Sequence, residues 1–298
     1  MEVTIRQLEY LVALAELENF GRAAEQCFVT QPALSAQIAQ LEKTLGVQLV
    51  ERGRKVSLTP AGEIAVVRAQ RILTEVRDLR DEAAGFQNPL VGRIRLGALP
   101  TVAPYVLPRV MPMLRERYPR LRLSLREAGE RALVAGLHAG ELDVLLLTLG
   151  QDLGPVEEWE ICHDSFLLLA PPSHPLIGKK GLTQADLLDH ELLLLEDGHG
   201  LHHHAVEAFS ERLGGDSDDL RASSLHTLVR MVASGQGITL IPEIAVATDL
   251  HPDLGLALAR FDPPEPKRVL GLVWRRGAIR MRDFRLLGQG IRSVLGAT

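Results

Sequence analysis

Residues 20–42 run Phe20-Gly21-Arg22-Ala23-Ala24-Glu25-Gln26-Cys27-Phe28-Val29-Thr30-Gln31-Pro32-Ala33-Leu34-Ser35-Ala36-Gln37-Ile38-Ala39-Gln40-Leu41-Glu42. The pattern is two short helices joined by a tight connection, the arrangement that places a second helix in a DNA major groove. Small Ala23 and Ala24 let the first helix approach its neighbour, while Leu34, Ile38 and Leu41 recur at i, i+4 and i+7 and bury one face of the second. Gln31, Ser35, Gln37 and Gln40 are left on the opposite face, with donors and acceptors suited to base edges and phosphates. Thr30 is placed to cap that helix and Pro32 sits in its first turn, where a missing N–H is tolerated. Upstream, Leu8, Leu11, Val12 and Ala15 mark a helix that completes a tri-helical core. Downstream, Val47 to Leu58 reads as two short strands around a Gly-containing basic turn, a wing.

Residues 1–60 hold six basic side chains (Arg6, Arg22, Lys43, Arg52, Arg54, Lys55) against seven acidic ones, so the segment is not basic in bulk. The positive charge is local. Phosphate contacts are expected from Arg52, Arg54 and Lys55 on the wing and from Arg22, with Thr30, Gln31, Pro32, Ser35 and Gln37 at the reading helix. The expected partner is double-stranded DNA.

At 298 residues, 46% hydrophobic and 24% charged, the chain has globular composition and length for two or three domains. Nothing in it reads as a signal peptide or a membrane span, so a cytoplasmic protein without a membrane partner is expected. Two cysteines, Cys27 and Cys162, lie far apart, which suits a reducing compartment. The net charge of −5 bears on solubility rather than on a partner.

After Pro60-Ala61-Gly62, no Gly or Pro interrupts the chain to Ala84, and Ala65, Ala69, Ile72, Val76, Leu79, Ala83 and Phe86 alternate steps of four and three. Arg68, Arg71, Arg77 and Arg80 flank this narrow line. A linker helix over 61–88 pairing with a second copy is expected, with Ala65, Ile72, Val76 and Leu79 in the seam; a long helix packed on its own domain is the alternative. A homodimer would set two reading helices on a two-fold operator, and a homotetramer and a contact with RNA polymerase are further expectations.

From 89 onward strands alternate with helices, which predicts a mostly parallel α/β sheet. Strands are expected at Arg93–Leu99, Leu121–Arg126, Asp143–Thr148, Phe166–Ala170, Glu191–Glu196, Ile238–Ile241 and Val269–Trp274, and a last helix from about Arg280 to Leu295. One lobe would comprise 89–163 and 267–298, the other 164–266. Effectors in such sheets bind beyond the carboxyl ends of strands. That rule selects Thr101, Thr148, Gly198, His199, Gly200 and Ser223. His199, His202 and His203 have the spacing of a divalent-metal site on a helix, or of a solvated histidine-rich helix end. No nucleophile elbow, dinucleotide fingerprint or P-loop occurs, so neither catalysis nor a cofactor is expected, an α/β enzyme being the disfavoured alternative.

The ordered run Arg6-Gln7-Leu8, Ala23-Ala24, Thr30-Gln31-Pro32-Ala33-Leu34-Ser35, Leu41-Glu42, Leu45-Gly46, Arg52 and Leu58-Thr59-Pro60-Ala61-Gly62 resembles the winged helix-turn-helix of LysR-type transcriptional regulators. The resemblance implies an N-terminal DNA reader (residues 1–60), a linker helix, and a two-lobed periplasmic-binding-protein-like α/β effector domain, an α + α/β fold. The effector half is similar to the peroxide-sensing OxyR branch at Leu99-Pro100-Thr101-Val102-Ala103-Pro104-Tyr105, Leu194-Leu195-Glu196-Asp197-Gly198-His199 and Ser234-Gly235-Gln236-Gly237-Ile238. That branch implies control of genes linked to oxidative stress and a reactive cysteine directly after the Gly-His pair. Here that position is Gly200, and the partner cysteine would fall at Phe209 or Ser210. A glycine has no thiolate, so that disulfide switch cannot operate at Gly200. The chain then senses a small organic ligand or a metal in the same pocket, or uses another cysteine, or carries Ser210 in place of a natural cysteine.

Overall fold

The computed structural model describes residues 2–52, 56–85, 89–195 and 222–296. Two compact units emerge: Met1–Ala84, with which Ala139–Glu141 is grouped, and Gly85–His138 with Leu142–Thr298.

In the first unit, α1 (Ile5–Leu17) begins at a capping box. The Gln7 amide donates to Thr4 Oγ1 at 3.3 Å, and the Thr4 amide donates back to Gln7 Oε1 at 3.0 Å. In α2 (Phe20–Gln26), Asn19 caps the helix by accepting from the Arg22 amide at 3.0 Å. Gly46, at φ +70, ends α3 (Gln31–Leu45) in the left-handed conformation that glycine adopts without strain. The three helices bury Leu11, Leu14, Ala23, Leu34, Ile38 and Leu41 in one core. Emptying any of the leucine positions to alanine would cost about 2–5 kcal/mol.

β1 (Val50–Arg52) and β2 (Val56–Leu58) pair antiparallel, Val50 opposite Leu58. Glu42 fastens this wing to α3, its Oε1 accepting from the Leu49 and Val50 amides at 2.9 and 3.1 Å. Thr59 opens α4 (Pro60–Gly85): its hydroxyl accepts from the Gly62 amide at 3.0 Å and donates to Gln48 O at 2.7 Å. A side chain at Gly62 could not fit, because its Cβ would lie 2.0 Å from Leu49 O.

The second unit is built on β3 (Gly92–Ala98), α5 (Ala103–Arg117), β4 (Leu121–Glu127), α6 (Glu130–Ala139), β5 (Val144–Thr148), β6 (Val156–Ala170), α7 (Leu225–Ala233), β7 (Thr239–Pro242), α8 (Glu243–Asp249), β8 (Ala257–Ala259), β9 (Lys267–Arg275) and α9 (Met281–Leu295). Among the described residues the strands run in the order β4-β3-β5-β9-β6-β7, with β8 also on β6. The expectation of a mostly parallel sheet is corrected. Only β3 with β4 and β3 with β5 are parallel, and the remaining described pairs are antiparallel. Strand–helix alternation cannot reveal this, because the long β6 and β9 run against each other through both halves. The expected strand at Glu191–Glu196 is likewise replaced, over its described residues, by single bridges, Leu192 to Ile238 and Leu195 to Ala222.

Two cores make the two lobes. One collects Ile94, Val106, Val110, Leu145, Leu272 and Phe284, and the other Phe166, Leu168, Leu225, Val229, Ile241 and Phe261. β6 feeds both, Ile161 to the first and Phe166 to the second. Its first half was not read as a strand, because Glu157, Glu158, Glu160 and Asp164 make it polar.

Candidate nucleic-acid interface and regulatory site

On α3, Gln31, Pro32 and Gln37 are exposed and Ser35 is half-buried, opposite the buried Leu34, Ile38 and Leu41. Gln37 is not free to turn: its Oε1 accepts from the side-chain amide of buried Gln7 at 3.1 Å, which leaves its own NH2 as donor. The tether lies thirty residues away in sequence, and no local pattern announces it. Thr30 holds the N-cap position, yet its side chain makes no capping bond, which corrects the expectation. Pro32 at the second helical position has no N–H to offer, so one of the two usual donors is missing. Arg22 is exposed on α2. On the wing the backbone of Arg52 pairs with Val56, while the Arg52 side chain, Arg54 and Lys55 lie outside what is described.

Along α4, Ile72 and Leu79 are exposed, Val76 is half-buried, and Ala65 packs on the DNA-reading core instead of standing free. Ile64 and Val67 are also exposed apolar residues that the heptad spacing missed. Spacing alone cannot separate a helix face turned to its own domain from one turned outward.

In the second unit Thr101 and Thr148 are buried. Thr101 does not stand alone. Fully buried Arg268 donates from Nη1 to Thr101 Oγ1 at 3.1 Å and from Nη2 to Thr101 O at 2.9 Å, and from Nε to Asp164 Oδ2 at 2.9 Å. Asp164 Oδ1 accepts from the Ile244 amide at 3.1 Å. One guanidinium thus joins the start of α5, both crossing strands and the start of α8. Burial pushes the Asp164 carboxyl upward, against the pull of Arg268 and the Ile244 amide. Sequence reasoning missed Arg268; its only signal is a charge in the run Arg268-Val269-Leu270 that opens an otherwise apolar strand. The Thr148 hydroxyl is buried and has no hydrogen-bond partner among the described residues. Ser223 is exposed, and the residue that caps α7 is Ser224, accepting from the Thr227 amide at 3.2 Å.

A second tie between the lobes joins Tyr105 of α5, which packs in the core of β7 and α7, to Asp249 of α8 through the Tyr105 hydroxyl. Burial and the Asp249 carboxylate push that phenol up. His226 Nδ1 lies 3.7 Å from the other Asp249 oxygen. Gly198, His199, Gly200, His202, His203 and Ser210 lie outside the described residues. Among the described residues no group of three or more His, Cys, Asp or Glu could hold a metal ion, and no helix is long and apolar enough to cross a membrane.

Residues 5–63 match the description "Bacterial regulatory helix-turn-helix protein, lysR family", and residues 87–295 match "LysR substrate binding domain". The chain belongs to the LysR family of transcription regulators. Its LysR-type sequence is 41% identical to the DNA-binding transcriptional dual regulator OxyR of Escherichia coli strain K12, over 98% of this chain and 95% of that protein. It is 40% identical to a hydrogen peroxide-inducible genes activator of Dickeya chrysanthemi, over 97% and 95%. Among solved structures, it is similar to a cysteine-to-aspartate variant of full-length OxyR from Pseudomonas aeruginosa, with a TM-score of 0.78, 33% identity and 98% of both chains covered. It is also similar to a cysteine-to-serine mutant of Corynebacterium glutamicum OxyR with hydrogen peroxide bound, with a TM-score of 0.69, 33% identity, and 100% of this chain and 94% of that one covered.

Proposed function

We propose that this LysR-type regulator reads a two-fold operator as a homodimer or homotetramer in the cytoplasm and controls genes of the response to peroxide. Gln31, Ser35 and Gln37 would read base edges, with Arg22, Arg52, Arg54 and Lys55 on phosphates. The observation that carries this reading is the polar, exposed face of α3 on a chain similar over nearly its full length to peroxide-inducible activators. The signal would enter at the lobe junction around Thr101, Thr148, Gly198–Gly200 and Ser223, shift the lobes, and reach the DNA through α4 and a contact with RNA polymerase. No catalytic step is part of this reading.

The switch would not be an intramolecular disulfide. Gly200 stands where the resemblance expects the reactive thiol, and of the two cysteines Cys162 is pushed up to about 11 by burial. A second reading, a small organic ligand or a divalent cation at the same place, is supported by the buried hydroxyl of Thr148, which lacks a partner that a polar ligand would supply. DNA footprinting and mass spectrometry of the full chain with peroxide, with and without divalent metal, distinguish the readings. A peroxide-dependent footprint supports the first, and a footprint that ignores peroxide overturns it.

A further inference from the structure

Phe28 is 94% exposed and sits at φ +56. The turn that holds it closes α2 with the paired amide bonds of a left-handed helix cap, Phe28 N–H to Glu25 O at 3.1 Å and Val29 N–H to Ala24 O at 3.0 Å. That position favours glycine, because a Cβ crowds the backbone there. An aromatic ring is therefore placed where the backbone disfavours it and where its own unit leaves it uncovered. Beside it opens a cavity of about 380 Å³, lined on one side by Arg6, Glu9, Tyr10 and Glu16 of α1 and on another by Leu73 of α4. Glu9, Glu16 and neighbouring Glu25 are exposed, and these carboxylates repel a phosphate backbone.

The same unit carries a surface of matching character. On α4, Ile64, Arg68, Ile72 and Leu79 fall on one face at helical spacing, with Arg71 at its edge and Glu75 among them, and all six are exposed. We propose that the cavity beside Phe28 is seated by α4 of a second copy of this chain, Ile72 and Leu79 against the ring and Arg68 and Arg71 against Glu9 and Glu16. Two-fold symmetry uses the contact twice, each copy giving one groove and receiving one helix. An unpaired ring, an unpaired apolar helix face and opposite charges are then accounted for together. The inference rests on the dimeric reading above and says where the partner helix lies.

The test is sedimentation equilibrium of the full chain. Phe28→Gly suits the backbone of the turn, so thermal melting should show the fold retained, while association weakens at least about tenfold. Glu16→Arg should weaken association similarly, and Arg71→Glu added to it should restore association by charge exchange. Association unchanged in Phe28→Gly and Glu16→Arg, with Leu79→Asp disruptive, overturns this contact but keeps the dimer. Loss of operator binding or of transcription with association unchanged also overturns it, assigning Phe28 to DNA or polymerase. A wild-type chain that stays monomeric overturns the dimeric reading itself.

Discussion

Arg268 Nε lies 2.9 Å from Asp164 Oδ2, and neither side chain is exposed to solvent. Two charges buried this deeply hold only because each satisfies the other and because Thr101 and Ile244 take up the remaining bonds. Removing one partner leaves the other uncompensated. Arg268→Met or Asp164→Asn should therefore lower unfolding stability by about 3–5 kcal/mol. Arg268→Met with Asp164→Leu should recover much of that loss, as read by urea denaturation of the full chain.

DNA reading separates into two kinds of loss. Gln37→Ala should relax discrimination by about 1–3 kcal/mol at one base position. Gln7→Leu should produce a milder form of the same defect, because it frees Gln37 without removing it. Arg22→Ala and Arg52→Ala should instead weaken binding to all sequences and flatten its salt dependence. Titrations against single-base operator variants at two salt concentrations tell these apart, and equal loss on every variant for Gln37→Ala would remove it from the reading face.

Leu79 is 62% exposed on α4. Leu79→Asp should accordingly leave the thermal midpoint of the isolated protomer nearly unchanged while association falls sharply, since the charge is buried only when a second helix covers it. A melting curve and a sedimentation run on the same sample suffice, and an unaltered association order counts against the seam.

His174 and His190 meet edge to face, ring centroids 4.7 Å apart. Burial, and then the neighbouring imidazole, hold His174 below its ordinary value, so the unfolded chain binds its proton more readily than the folded one. Stability from this pair is full above the ordinary histidine value of about 6.5 and drains away as pH falls through the lower folded value. His190→Gln should make stability less steep in that acid window, and an unchanged pH profile between pH 5 and 7 would count against the coupling.

Peroxide should not create a Cys27–Cys162 bond within one chain. Burial pushes both thiols up, Cys162 to about 11, and leaves little thiolate at neutral pH to attack an oxidant. Mass spectrometry of peroxide-treated protein should show slow oxygen addition at most, whereas an intramolecular disulfide peptide would refute the expectation. If Gly200→Cys with Ser210→Cys restores peroxide-dependent DNA binding, the scaffold retains the switch and has lost only its chemistry.

The DNA reader was legible because its information is local. Ala23, Ala24, Leu34, Ile38 and Leu41 bury at the positions their spacing implies, and the wing follows from a short basic turn between apolar residues. The helical stretch of α4 was legible for the same reason, its Gly- and Pro-free run being continuous. What spacing cannot carry is the far partner. Thr30 looked like a cap and makes no capping bond, Gln37 looked free and is held by Gln7, and Ala65 looked like seam and belongs to a core. The lobe junction depends on Arg268, Asp164 and Thr101, which are widely separated along the chain and meet only because β6 and β9 cross side by side. Helix periodicity, caps and turns are set by neighbours within a few residues, so they can be read from the order of side chains. Strand direction, the burial of a charge and the choice of a buried charge's partner are settled by which distant segments pack together, and that only the tertiary structure decided.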